Sequence, residues 1–356
     1  MKKTLVALAV AATTLVATSA NAAVVYKDDA TKVELNGSLR LALGKFGKDQ
    51  RADLRNTGSR LYINAEHNLG NGFSAIGSYQ LRFDDVGTDA NTSNTFGDPT
   101  TKNLFAGFKY EPVGTLTFGK QFTSIDDYFD YVDDTYKFGG NEDKSTDDAD
   151  NAKKSIKFHS ADFNGFSFGL DYLFGDSSKK STSADLKYGY VATVGYQSDL
   201  SAIAQDLKFT SALAYGEKHY DDNNAATSKT GSKSQFWRAL AAFEYGPFAF
   251  GAEYGQLYKK DTTNGQHLTT EKGRYLEVGT HYQISEPTKV YAQWQRNEVR
   301  ENEVGNVYIV GADYKFNKNV ITYVEYAHDR TKTYNDNAAP TKSTDNKYVV
   351  GLRVNF

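Results

Sequence analysis

The last eleven residues, NKYVVGLRVNF (residues 346–356), set Tyr348, Val350, Leu352, Val354 and Phe356 on one parity and Lys347, Gly351, Arg353 and Asn355 on the other. Alternation at a period of two is the signature of a strand with one apolar and one polar face. The same split runs through FSAIGSYQLRF (residues 73–83), where Phe73, Ala75, Tyr79, Leu81 and Phe83 oppose Ser74, Ser78, Gln80 and Arg82, and through FSFGLDYLF (residues 166–174). About sixteen such runs occur, starting near residues 33, 58, 73, 102, 114, 154, 166, 186, 206, 235, 247, 273, 288, 305, 320 and 346. Ten residues rising about 3.3 Å each, tilted by about 40°, cover roughly 25 Å, the height of the apolar band of an outer-membrane barrel. An even number of strands suits closure. The expected fold class is therefore all-β, a transmembrane antiparallel β-barrel of about sixteen strands.

Composition agrees. The mean hydropathy of −0.59 would ordinarily mean a water-soluble protein, yet Tyr 25 and Phe 22 accompany Gly 30, Pro 5 and Met 1. A lipid-facing barrel needs apolar residues only at every second strand position, and averaging hides them. Aromatics gather at the ends of runs, as at Tyr245 and Phe248 or Tyr314 and Phe316, where girdles meet lipid headgroups. A soluble β-sandwich also alternates, but it has no need for oily outer faces opposite Arg82, Lys208, Glu253 and Glu277.

The first residues, MKKTLVALAVAATTLVATSANA, carry two lysines, an apolar run from Leu5 to Val16 and the small-x-small triplet Ala20-Asn21-Ala22. This is the pattern of a cleaved secretory signal, so residues 1–22 are expected to leave and residues 23–356 to form the barrel domain, with no linker dividing it. Removing Lys2 and Lys3 leaves 41 − 2 = 39 basic residues against 44 acidic ones, a formal charge of −5 that argues against nucleic acid as a partner. With no cysteine, disulfides and thiolate metal sites are excluded. No cofactor is expected.

Connections alternate between short ones, such as residues 70–72 and 111–113, and long polar ones, such as residues 84–101 and 220–233. Short periplasmic turns and long external loops show this asymmetry. The longest, from about Phe122 to Lys153, contains DDYFDYVDD (residues 126–134) and Gly139-Gly140. An external loop has no use for Tyr128, Phe129, Tyr131 and Val132. These residues are expected to pack on the inner wall, with the loop folded into the lumen and Asp126, Asp127, Asp130, Asp133 and Asp134 turned toward the water path.

The segment NLFAGFKYEPVGTLTFGKQF, the acidic loop and Phe138-Gly139-Gly140 after it, together with VELNGSLRLAL, SRLYINAEH and KYVVGLRVNF, resemble the general diffusion porins of Gram-negative outer membranes, and the resemblance covers the whole mature chain. It implies a sixteen-stranded, usually homotrimeric, water-filled channel in the outer-membrane bilayer, narrowed by the third loop, whose acids face a basic wall. Ions and small hydrophilic solutes would be its cargo. Arg60 matches a wall arginine, Lys102 takes the position of another, and Asp133 matches the loop acid. Arg40 and Arg82 join the constriction through their place on the polar faces of their strands. Lys137 departs from the family, in which many members carry an acid before the Phe-Gly-Gly, and it opposes the loop carboxylates. Phe356 corresponds to the C-terminal assembly signal.

Several motifs point to other chemistry. Gly165 to Gly169 fits G-x-S-x-G, but its serine lies in an alternating strand rather than a strand-to-helix elbow. GTLTFGK (residues 114–120) lacks the Ser or Thr and the helix of a P-loop. The six histidines, His67, His159, His219, His267, His281 and His328, have no metal-ligand spacing, and the run at Asp147 lacks the glycine and glutamate of a calcium loop. No enzymatic activity is expected. The alternative to a general, weakly charge-selective pore is a substrate-specific channel of the sugar type, which would line its path with an aromatic slide.

Overall fold

The computed structural model describes residues 22–86, 95–129, 131, 133–139, 151–175, 184–222, 230–263, 266–335 and 338–356. Residues 1–21 of the expected signal segment, residues 1–22, and Asp130 lie outside the described residues. The strands are β1 (Ala23–Lys27), β2 (Thr31–Lys45), β3 (Asp53–Gly70), β4 (Phe73–Val86), β5 (Thr95–Tyr110), β6 (Gly114–Phe122), β7 (Asn151–Ser160), β8 (Phe166–Phe174) and β9 (Ala184–Asp199). They continue with β10 (Leu207–Asp222), β11 (Thr230–Tyr245), β12 (Phe248–Thr263), β13 (Gln266–Ser285), β14 (Thr288–Val299), β15 (Glu303–Lys315), β16 (Val320–Asn335) and β17 (Ala338–Asn355). A five-residue helix, α1 (Ser124–Tyr128), follows β6.

Strands β2 to β17 pair each with the next, all antiparallel, and β17 returns to β2, closing a ring of sixteen. Closure follows from register: Leu352 lies opposite Leu41 and Arg353 opposite Arg40, so each apolar face meets an apolar face. The extra strand, β1, was not expected. It pairs with β2 at Lys32 to Leu35, beyond the point where the final residue, Phe356, exchanges backbone hydrogen bonds with Gly37. Gly37 is required there, because a Cβ on it would stand 2.8 Å from the Phe356 ring.

The two faces differ as the alternation demands. Leu39, Leu170, Val310, Val324, Val350 and Leu352 are exposed on the outside, an apolar surface that water would not tolerate but lipid would. Glu253, Glu277, Gln295 and Glu325 are buried on the inside. Short turns join β3 to β4 through Asn71 and Gly72, both at positive φ, and β7 to β8 through Asn164 and Gly165. At the opposite end several strands run past the apolar band. β17 starts at Ala338 rather than near residue 346, and β5 at Thr95 rather than near residue 102. Backbone pairing costs nothing in water beyond the bilayer, so hairpins continue where the alternation of hydrophobicity has stopped.

Candidate functional site

The inner wall carries a cluster of arginines set by register on four adjacent strands. Arg353 of β17 lies opposite Arg40 of β2, Ser38 of β2 opposite Arg60 of β3, and Arg60 opposite Arg82 of β4. Arg40 interacts electrostatically with the other three. Its Nε donates to Ser38 Oγ at 2.8 Å, and its backbone amide to Ser59 Oγ at 2.9 Å. Arg60 donates to the Gly58 carbonyl and to the Tyr62 hydroxyl, each at 3.3 Å. Gly58 sits at a bulge with φ 92°, and a Cβ there would come within 3.0 Å of the Arg82 guanidinium. The bulge thus makes room for the cluster.

Arg40, Arg60 and Arg82 are brought together as the parity of their strands requires. Arg353 was legible on the polar face of the C-terminal stretch but was not singled out. Lys102 is the extra residue of a second bulge: Gln80 pairs with Asn103 and Leu81 with Thr101, leaving Lys102 between them.

The acidic segment is held at both ends. The amide and hydroxyl of Ser124, which opens α1, donate to Asp171 Oδ2 of β8 at 2.9 and 2.5 Å. Asp127 accepts from Lys157 at 2.6 Å and contacts His159 at 3.0 Å, both on β7, and its side chain is 3% exposed. Burial pushes its carboxyl up, but the Lys157 ammonium and His159 outweigh this and hold it below the usual carboxylate range. Ile125 and Phe129 pack against Leu173, Val191, Ala212, Phe236 and Leu240. The Phe129 ring also lies under the Arg238 guanidinium at 4.7 Å.

At the far end, Glu325 of β16 is a four-fold acceptor. Its Oε1 takes the Tyr136 amide and, at 2.8 Å, the Tyr291 hydroxyl; its Oε2 takes the Lys137 and Phe138 amides at 2.9 and 3.1 Å. Tyr136 stacks on Tyr323 at 4.4 Å, covers Arg353 at 4.6 Å, and donates its hydroxyl to Asp313 at 3.1 Å. Phe138 joins Ala42, Phe46, Ile309 and Val349. Strands β8 and β16 are eight places apart in the ring of sixteen, and so diametrically opposite.

The acids differ in their surroundings. Asp134 pairs with Lys289 of β14 and His281 of β13, which hold its carboxyl below the usual range against the upward push of burial. Asp133 folds back on its own turn, accepting the Thr135 amide at 2.8 Å and hydroxyl at 2.6 Å. A Cβ on Gly139 would strike both Thr135 and Asp133, so this turn needs glycine at that position. Asp126 is half-buried on α1. Sequence reasoning set Asp127 opposite Arg40, Arg60, Arg82 and Lys102; its cationic partners are instead Lys157 and His159. The Lys137 amide is tied to Glu325 and its ammonium lies 5.6 Å over the Phe46 ring. Among the described residues no cluster of three or more metal-ligating side chains occurs.

Comparison with known proteins agrees with this geometry. Residues 7–334 match the family model of the Gram-negative porins. The chain is 38% identical to a major outer membrane protein of Pasteurella multocida strain Pm70, over the full length of both, and 36% identical to another of that species over 83% of this chain and 84% of the other. Among solved structures, the trimer form of OmpT from Vibrio cholerae superposes with a TM-score of 0.68 at 20% identity, covering 92% of this chain and all of the other. An anion-selective porin from Comamonas acidovorans gives 0.70 at 15%, with the same two coverages. Salmonella typhi OmpF, solved with daunomycin, gives 0.68 at 18%, over 93% and 99%. An alternating ring whose inner face is this heavily charged, matched over nearly the whole sequence, leaves one conclusion: the chain belongs to the Gram-negative porin family.

Proposed function

We propose that this protein is an outer-membrane porin, a homotrimer whose barrels are water-filled channels for passive diffusion of ions and small hydrophilic solutes. The observation that carries the reading is the attachment of residues 123–139 to diametrically opposite strands, β8 through Asp171 and β16 through Glu325. A segment tied in this way, with Phe129 against Arg238 of β11 and Asp134 against His281 of β13 and Lys289 of β14 between its two ends, runs along one side of the wall and narrows the lumen, with the arginines of β17, β2, β3 and β4 on the other side. Residues 1–22 are removed on export, and the short turns face the periplasm.

Selectivity is weak on this reading. Two fixed charges about 10 Å apart in water interact by about 0.4 kcal/mol, so a handful bias permeation several-fold and exclude nothing. Asp127 and Asp134 are already neutralised by cationic neighbours. Arg40, Arg60, Arg82, Arg353 and Lys102 therefore count for more against Asp126, Asp130 and Asp133 than the acid-rich sequence suggests. Tyr128 and Tyr136 are engaged with His159 and with Tyr323 and Arg353, so these rings anchor the segment and do not form a sugar slide.

Purified protein in planar bilayers tests the reading. Stepwise conductance, rising in proportion to salt and accompanied by a small reversal potential in a salt gradient, is expected. Insertion without conductance steps, or saturation by one sugar at low concentration, refutes it.

A further inference from the structure

The outer wall of β11 to β13 has two unlike ends. At the short-turn end its outward positions are Phe243, Tyr245, Phe248, Phe250, Thr280 and Tyr282, with no cation among them. Counting in twos along the same faces to the other end brings Lys233, Lys260, Lys272 and Arg274 outward. Phe250 and Lys260 lie on one strand, and the ten steps between them cover about 25 Å of height at a tilt of about 40°. The four cations therefore stand where the apolar band ends.

Charge and surface chemistry together select the occupant. Lys260 lies directly opposite Lys233, and like charges opposed across a strand pair repel unless an anion joins them. Glu217 of β10 is the one carboxylate among the described outward side chains of β10 to β13; its Oε1 accepts from Lys233 at 2.7 Å, and its Oε2 from Tyr215 and Gln235 at 3.1 and 2.8 Å. Four cations against one carboxylate leave an excess of three. The same opposition recurs at Lys332 and Lys342 on β16 and β17, so the excess is not confined to one hairpin. Beneath the cations lies an aromatic shelf: the Lys272 ammonium is 5.9 Å from the Tyr258 ring, and the Trp237 and Tyr254 rings are 5.5 Å apart. Below the shelf, Leu213, Phe243 and Phe250 are exposed. A partner that meets cations, then aromatic rings, then an oily wall along one line is an anionic amphiphile.

We propose that this outer face is a docking site for a phosphorylated glycolipid whose sugar headgroup carries two phosphate monoesters. One phosphate joins Lys233 to Lys260 and the other sits at Lys272 and Arg274, while the sugars rest on Trp237, Tyr254 and Tyr258 and the acyl chains run down past Leu213, Phe243 and Phe250. Two monoesters carry a charge of about −3 to −4 at neutral pH, which matches the excess of cations. A phosphodiester lipid brings a single charge, and free phosphate leaves the shelf and the oily wall unused. The inference concerns the outside of the barrel and takes from the channel reading only that the long-loop end faces away from the periplasm.

Native mass spectrometry of the folded protein in non-ionic detergent, with diphosphoryl lipid A, monophosphoryl lipid A and phosphatidylglycerol as probes, tests it. Diphosphoryl lipid A should be retained, the monophosphoryl form about tenfold more weakly, and phosphatidylglycerol more weakly still. A Lys260→Gln, Arg274→Gln double variant should bind the diphosphoryl lipid about thirtyfold more weakly at this face, and so lose one bound lipid per chain at a concentration that saturates the parent. Lys208→Gln with Lys315→Gln removes the same net charge at the short-turn end and should keep the parental count. Equal retention of the three lipids, no retention of diphosphoryl lipid A, a parental count in the Lys260 and Arg274 variant, or displacement of the lipid by millimolar inorganic phosphate overturns the proposal. Conductance reports separately on the channel, so a conducting protein that retains none of these lipids refutes this inference alone.

Discussion

Replacing Glu325 by Gln should free residues 136–138 from the wall while leaving the barrel closed. The carboxylate is buried, and each of its two oxygens accepts two hydrogen bonds, three of the four coming from consecutive backbone amides. Gln keeps the shape but has one acceptor oxygen. Either orientation turns its NH2 group toward two donors, so two bonds to a charged acceptor are lost. Bonds of that kind contribute about 1.5–3 kcal/mol each, and water entering from the lumen restores part, leaving a net cost of about 2–4 kcal/mol. At about 1.4 kcal/mol per decade, local opening of the segment should rise about thirty- to several-hundred-fold. Hydrogen exchange read by mass spectrometry on peptides covering residues 136–138 measures this, with strand peptides from β10 to β13 as an unchanged reference. Single-channel records should become noisier, with more conductance sublevels. Parental exchange at those amides together with a parental current trace would show that Glu325 does not hold the segment.

Three further outcomes follow from other parts of the molecule. Leu352→Arg or Leu170→Arg, each on the outer face, should destabilise the folded barrel by about 2–4 kcal/mol in urea titration, whereas Arg at a position in residues 223–229 should cost little; similar midpoints for both would contradict the register. Arg40→Gln combined with Arg353→Gln should move the reversal potential toward cations, and Asp126→Asn with Asp133→Asn toward anions; both shifts should shrink as the screening length falls from about 10 Å at 0.1 M to about 3 Å at 1 M salt. Because the Asp134 carboxyl is held below its ordinary value, its pairing stabilises fully above a pH of about 3.9 and is lost as pH falls through the lower folded-state value, so protection around residue 134, taken relative to the intrinsic exchange rate at each pH, should stay flat from pH 7 to about 4 and fall below it. Asp134→Asn should abolish that dependence, and an identical acid response in the variant would assign the effect to another group.

Much of the barrel was legible because bilayer thickness imposes one period on every strand. The sixteen ring strands all correspond to runs of alternating residues, and the inward parity of Arg40, Arg60, Arg82, Glu253 and Glu277 follows from counting in twos. Strand ends were less visible. Ala338 to Asp345 pair in water, where no hydrophobic pattern marks them, and β1 has five exposed residues on an edge that no local signal reveals. The bulge at Lys102 removed its parity. Least legible were the partners of the acids. Asp127 meets Lys157 across 30 residues, Asp134 meets Lys289 across 155, and Tyr136 meets Glu325 across 189. Such pairings depend on which strands stand opposite one another, which is a property of the closed ring and not of any single stretch. The aromatics of DDYFDYVDD did signal wall packing, and Phe129 and Tyr128 show it.

The short strand β1 has a meaning for assembly. Strand β2 outruns β17 by several residues, because β17 stops at Asn355 opposite Ser38 while β2 begins at Thr31. Without β1, the amides and carbonyls from Lys32 to Leu35 would form a bare template for a strand from another molecule. β1 lies along that stretch in line with β17, so the polypeptide covers its own seam with residues 23–27. A nascent barrel lacking them would leave the seam sticky, and its characteristic error would be cross-pairing between neighbouring molecules at the rim that bears the short turns.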